Sequence, residues 1–251
     1  MISPTLLIAL ILVPIIVLAI LYFASRIIFR IAMLASTILF LLILGLGAYA
    51  VYDAHQFSEE IETTPSTYIF ESDEPRAGFV RTSLSAEPEL FTQTELIAWN
   101  EDPNMTTFLF TPTTFDQTDF EPPEQASYLT QDALLEIIAA NDPFDPYARI
   151  VAENDPRLSQ IPPEQARDIA QDELRDRLED DTHARSEAFG ILLAGTITAE
   201  SEAFVIAQLQ QGGIEIIPPR FFVRTLQLLP LNINYTQVIP DEYSQPLQAQ
   251  E

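Results

Sequence analysis

Apolar residues run almost unbroken through positions 5–24 (TLLIALILVPIIVLAILYFA) and 31–52 (IAMLASTILFLLILGLGAYAVY). Neither stretch contains an ionisable acid, lysine, arginine or histidine. At ~1.5 Å per residue each reaches ~30 Å as a helix, the thickness of one bilayer core. SRIIFR lies between them and carries Arg26 and Arg30. One unbroken helix through both stretches would be about twice too long for a bilayer. The pattern therefore predicts two antiparallel spans joined by a tight turn, a transmembrane helical hairpin over residues 1–52. Pro14 should kink the first span, as membrane helices tolerate. The turn holds neither Gly nor Pro, which counts against a hairpin. A signal peptide is the competing reading of residues 1–24. The missing charged n-region and the missing small-residue cleavage site count against it.

After residue 52 the pattern changes. Residues 53–65 are polar and read as a linker. Period-two alternation then predicts strands at Thr67–Glu71, Ala77–Leu84 and Met105–Thr111, with Phe108 and Phe110 on one face. Residues 88–99 fit a strand or a helix equally. Residues 112–128 form a Pro-rich, acidic connection. Thr130 should cap a helix over QDALLEIIAA that stops at Asn141-Asp142-Pro143, and a second helix from about Pro146 should stop at Asn154-Asp155-Pro156. Each Asn suits the left-handed position after a helix, and each Pro forbids continuation. Helix 163–181 shows the clearest apolar face, with Ala166, Ile169, Ala170, Leu174 and Leu178. Its other face offers Glu173–Arg177 and Arg175–Glu179 pairs.

Helices are also expected at 186–195 and 199–211. Thr198 should cap the second and Gly212-Gly213 should stop it, with Phe204 and Ile206 in the core. Strands should return at Ile214–Ile217, Phe221–Leu229 and Leu231–Val238, before a polar tail at 241–251. Strands, then helices, then strands predict one α+β domain over residues 66–240. The fold class is thus an α+β soluble domain preceded by an N-terminal two-helix transmembrane hairpin.

Charge sharpens this picture. The chain holds 37 Asp plus Glu, 12 Arg, no Lys and a net charge of -25. Residues 1–52 carry two Arg and no acid, so the other 199 residues carry -27. Such a domain repels itself unless salt screens it. Acid excess without lysine matches the surface of a protein from a salt-in halophilic archaeon. The same field repels a phosphate backbone, so nucleic acid is not expected as a partner. Cysteine is absent, which removes disulfides, thiolate metal sites and thiol nucleophiles. The two arginines of the turn, against Asp53, Glu59, Glu60 and Glu62 beyond the second span, place the turn in the cytoplasm and the acidic domain outside. Asn104-Met105-Thr106 and Asn234-Tyr235-Thr236 are N-glycosylation triplets and agree with an exterior domain.

Candidate chemistry is sparse. The spans contain no buried charge of the kind that proton or ion pathways use. Gly45, Gly47, Ala48 and Ala50 would let another helix approach closely. His183 follows Glu179-Asp180-Asp181 but has no evident second ligand. Asn141, Asp142, Asp145, Asn154 and Asp155 have the chemistry of a hard-cation site but lack EF-hand spacing; helix stops on an acidic surface explain them with nothing added. Trp99, Phe108, Phe110, Phe115 and Phe120 are candidates for a sugar or partner surface, set against core packing. No catalytic, cofactor-binding or metal-ligating residue is assigned, and no cofactor is expected. The function expected is a non-enzymatic interaction or structural subunit of a cell-envelope assembly, anchored in the lipid bilayer beside a membrane-protein partner. The alternatives are a membrane-tethered hydrolase using carboxylates alone and a sensor component that signals through a partner's helices.

Overall fold

A computed structural model describes residues 4–83, 86–99, 105–116, 118–200 and 202–228. The chain divides into two compact units, Met1–Tyr52 and Asp53–Glu251.

The hairpin is not there. A single helix, α1, runs from Pro4 to Thr63 over 60 residues, about 90 Å of helical rise. It passes without interruption through Ser25–Arg30, where the turn was expected. The reason is local. SRIIFR contains no helix breaker, and Ser25 Oγ donates to the Tyr22 carbonyl at 2.9 Å inside the helix. Arg26 and Arg30 are four positions apart, and both are exposed on the continuous helix. Charge marks a membrane boundary, but it does not bend a backbone. One helix among the described residues, Phe29–Thr63, is long and apolar enough to span a membrane, and none of its apolar window is buried in the protein.

Residues 53–63, read as a linker, are the last turns of α1. Phe57 and Ile61, one turn apart, point into the core of the acidic domain. Phe57 packs against Phe108 and Phe222, with ring centroids at 6.1 and 5.1 Å.

The domain is α+β. Among the described residues its strands are β1 (Ser66–Glu71), β2 (Pro75–Arg81), β3 (Glu89–Leu90), β4 (Thr106–Phe110) and β5 (Ile214–Ile217). They form one mixed sheet in the order β3-β2-β1-β4-β5. β1 and β4 are parallel, with Tyr68 opposite Phe108; the other neighbours are antiparallel. Between β1 and β4 the chain makes β2, β3 and the short helix α2 (Gln93–Ala98). Residues 88–99 therefore hold a strand and a helix in succession. Thr92 separates them with a capping box: its N–H donates to Glu95 Oε2 at 2.8 Å, and its Oγ1 accepts from the Glu95 N–H.

Helices α3 (Gln131–Ala139), α4 (Phe144–Asn154), α5 (Pro163–Arg177), α6 (Asp181–Glu200), α7 (Glu202–Gln211) and α8 (Phe221–Leu228) complete the described part. Thr130 caps α3, accepting from the Ala133 N–H at 3.2 Å. The helix α4 does not end on a left-handed Asn. Asn154 is its last helical residue, and Asp155 caps it in extended conformation. Thr198 lies inside α6, donating to the Ala194 carbonyl, and does not cap α7. Gly212, at φ +76°, does stop α7, a conformation that favours glycine.

Phe221–Leu228, read as a strand, is a helix. Asp53 of α1 accepts from the Phe222 N–H at 2.9 Å near its start. Val223 is buried, and Phe222 packs against the core. Aromatic and β-branched residues favour strands only weakly, and these contacts outweigh that preference. The predicted strand Leu231–Val238, the tail 241–251, Asn104 and Asn234 lie outside the described residues.

The helix α5 buries Ala166, Ala170 and Leu174, while Ile169 remains 38% exposed. Its arginines do not pair along the helix as expected. Arg157 meets Glu173 at 3.1 Å, Arg177 meets Glu187 at 2.9 Å and Arg175 meets Asp142 at 3.5 Å, each joining separate segments.

One face of the sheet carries Tyr68, Phe70, Phe79, Phe108 and Phe110. Tyr68 stacks on Phe79 and Phe108, with centroids at 4.9 and 5.0 Å. Phe189 of α6 sits edge-on to Phe70 and Phe110 at 5.6 and 5.5 Å. Such pairs add ~0.5–1.5 kcal/mol each beyond burial. Phe115 and Phe204 extend the cluster at 6.4 Å. Phe204 is therefore in the core as expected, whereas Ile206 is half-buried.

Candidate functional site

The other face of the sheet is covered differently. Alternation turns Ile69, Val80 and Leu109 to this side, where they form a small cluster with Phe91, Leu96 and Trp99. Among the described residues the short helix α2, of six residues, packs against this cluster through Leu96. Leu96 points inward, while its neighbour Ile97 is 72% exposed. A groove of about 690 Å³ is left open beside α2.

Its apolar lining is Leu96, Ile97, Trp99, Leu109 and Ile217. Glu71 and Glu74 line it from the β1–β2 turn, and Arg76 follows on β2. Asn141, Thr182 and Arg185 line it from the end of α3 and the start of α6. Ile217 belongs to β5, which ends the sheet among the described residues.

The two arginines have a shared structural task. Arg76 Nη1 donates to the Ala139 carbonyl at 3.1 Å. Arg185 Nη2 donates to the Ala140 and Asn141 carbonyls at 3.0 and 2.9 Å. They thus satisfy successive carbonyls at the C-terminus of α3, where partial negative charge accumulates. Burial pushes the Arg185 guanidinium below its ordinary pKa; Asp181 opposes this and the like charge of Arg76 adds to it. Asp181 is the nearest carboxylate, at 4.0 Å.

Other residues singled out in the sequence go elsewhere. His183 Nδ1 accepts from the Glu179 N–H at 3.3 Å, and its own N–H donates to Asp180 Oδ1 at 2.7 Å, so it belongs to the start of α6. The acidic cluster is dispersed among arginines. Asp142 Oδ1 accepts from the Phe144 N–H and Oδ2 faces Arg175. Asp145 pairs with Arg167, and Asp155 with Arg157 at 2.6 Å. That pairing holds the Asp155 carboxyl below the usual carboxylate range, through the Arg157 side-chain and backbone hydrogen bonds. Among the described residues no group of three His, Cys, Asp or Glu is placed to hold a metal ion. Phe108, Phe110 and Phe115 are core residues. Phe120 packs against Gly195, where a Cβ would clash with its ring. Of the aromatic candidates, only Trp99 reaches the groove.

A second polar cluster is inward-facing. Tyr147, buried on α4, donates to Glu187 Oε1 at 2.6 Å, and Arg177 donates to the same oxygen at 2.9 Å. Burial first, and the Glu187 charge second, push the Tyr147 phenol far above its ordinary pKa. It is a structural knot between α4, α5 and α6.

Sequence reading missed Arg76, Arg185, Leu109 and Ile217 as groove residues, because they are far apart in the chain. One local signal existed. Leu96-Ile97 places two large apolar residues side by side on a one-sided short helix, and only one can face inward. No family model, curated protein or solved structure matches this chain.

Proposed function

We propose that the chain is a membrane-anchored, non-enzymatic interaction subunit of a cell-envelope assembly in a halophilic archaeon, with its acidic domain outside the cell. The observation that carries the anchoring is the exposure of α1. Large apolar side chains from Ile31 to Val51 are uncovered, among them Leu41 at 60%. A bilayer is the solvent that removes this surface from water.

With one continuous helix, Arg26 and Arg30 precede the apolar stretch 31–52, and Asp53, Glu59, Glu60 and Glu62 follow it. Positive charge on the N-terminal side favours a cytoplasmic N-terminus and an exterior domain. The domain thus keeps the exterior side that the hairpin expectation gave it. The net charge of -27 on the domain residues supports the high-salt setting.

An interaction role is favoured over carboxylate-based hydrolysis by the groove. Among the described residues its carboxylates are Glu71, at the end of β1, and Glu74, in the turn that follows, both from one stretch of chain. A glycosidase pair needs carboxylates on opposite sides of the bond being cut.

The test combines alkaline extraction of membranes with protease added to intact cells, followed by capture of the tagged chain in mild detergent and molar salt. The expected result is a chain retained in the membrane, a domain digested from outside, and one membrane protein recovered in fixed stoichiometry. Release by alkali, or full protection of the domain, would overturn the anchoring or the orientation. Recovery of the chain alone would overturn the subunit role.

A further inference from the structure

We propose that the groove between α2 and the open sheet face binds an amphipathic monocarboxylate, with its apolar body over Leu109 and Ile217 and its carboxylate on Arg76 and Arg185. The proposal goes beyond the anchoring role and is independent of it.

Charge bookkeeping among the arginines points to this occupant. Six others, Arg149, Arg157, Arg167, Arg175, Arg177 and Arg220, each lie within 3.5 Å of a carboxylate. Among the described residues, Arg76 has no carboxylate within 4.0 Å, and Arg185 has only Asp181 at that limit. Arg76 and Arg185 instead take backbone carbonyls of the α3 C-terminus as partners. The carbonyls of α3 hold them close together. A guanidinium has five N–H donors, and each of these two commits only one nitrogen to those carbonyls. The planar fork suits a carboxylate.

The rest of the lining narrows the ligand. A volume of about 690 Å³ falls within the range of small-molecule sites. Ile97, Trp99, Leu109 and Ile217 call for an apolar body. Glu71 and Glu74 oppose a second negative charge, so a polyanion is disfavoured and a monoanion accepted.

Trp99 is the only tryptophan of the chain and lines the groove, so its emission reports occupancy directly. The experiment uses the full chain in phosphatidylcholine vesicles in molar KCl, titrated with phenylbutyrate and, in parallel, with neutral phenylbutanol. The expected result is a saturable change of Trp99 emission with phenylbutyrate, and binding of phenylbutanol about tenfold weaker, as loss of a charge-assisted hydrogen bond implies. R76Q and R185Q should each weaken phenylbutyrate by about tenfold and leave phenylbutanol unchanged. E71Q should tighten phenylbutyrate, a gain that a merely structural role for these residues would not produce. If circular dichroism shows that R185Q unwinds α3, R76Q and E71Q decide. Unsaturable emission, equal binding of the two probes, or charge variants without effect would overturn the proposal. Membrane extraction is unaffected by any of these outcomes, so failure of the groove and failure of the anchor are separately visible.

Discussion

The two faces of the sheet are built from the same alternating strands and end up in different surroundings. On one face, Phe70, Phe79 and Phe110 are closed over by Phe189 of α6. On the other, Ile69 is sealed by Phe91 and Leu96, but Leu109 and Ile217 open into a groove. The difference lies in the length of the covering helix. The helix α6 has 20 residues and sets Phe189 against rings from β1, β2 and β4; α2 has six. A long cover makes a core, and a short one leaves a binding surface.

The largest expected effect tests the closed face. Phe189→Ala removes a ring with no exposure from a cluster of four neighbouring rings, and should cost ~3–5 kcal/mol. Thermal unfolding of the full chain in molar salt measures it. A loss below ~1 kcal/mol would show that the cluster is loosely packed.

Gly78 probes the seal on the second face. A Cβ there would lie 2.6 Å from Ile69 Cδ1, 2.9 Å from Phe91 and 3.1 Å from the Tyr68 carbonyl oxygen. The Gly78 N–H also donates to buried Ser186 Oγ at 3.0 Å, tying β2 to α6. Gly78→Ala should cost ~1–3 kcal/mol by overpacking. Retained stability, read by denaturant unfolding, would mean that the small cluster has room to yield.

Much of this was legible in advance, and the misses have physical causes. Period-two alternation revealed β1, β2 and β4 because each has one face turned to the ring cluster. Thr130 marked α3 because a side-chain cap is a local event. The hairpin failed because apolar length and two arginines do not specify a turn, and SRIIFR has no residue that breaks a helix. The linker failed because the acidic residues of 53–63 masked the Phe57/Ile61 pair at one-turn spacing. For α8, residues Phe221, Phe222 and Val223 favour a strand by propensity, while contacts with α1 decide the outcome. The groove was invisible, since its arginines are 109 positions apart (76 and 185) and meet only at the end of α3.

Away from the sheet, Tyr147→Phe keeps the ring and removes one hydrogen bond to a carboxylate, so it should cost ~1.5–3 kcal/mol at neutral pH. The phenol pKa is raised on folding, so its contribution is full below the unfolded value, ~10, and is lost as pH rises above it. Alkaline titration of stability should therefore fall less steeply in Tyr147→Phe. An unchanged slope would remove Tyr147 from the account.

The smallest effect is at Asp155. Its folded pKa is depressed by Arg157, so its contribution is present above the unfolded value and lost as pH falls through the folded one. Arg157→Gln should shift the acid unfolding midpoint slightly upward in pH. No shift would show that this surface pair is screened completely.

The contrast between the two faces is tested most directly by placing Phe189→Ala beside Ile97→Ser and measuring both melting temperatures in the same molar salt. Ile97 is mostly exposed on the groove, so its replacement should change stability by no more than ~0.5 kcal/mol, while Phe189→Ala lowers the melting point markedly. Equal losses in the two variants would contradict the account, because the groove face would then be as much a part of the core as the other.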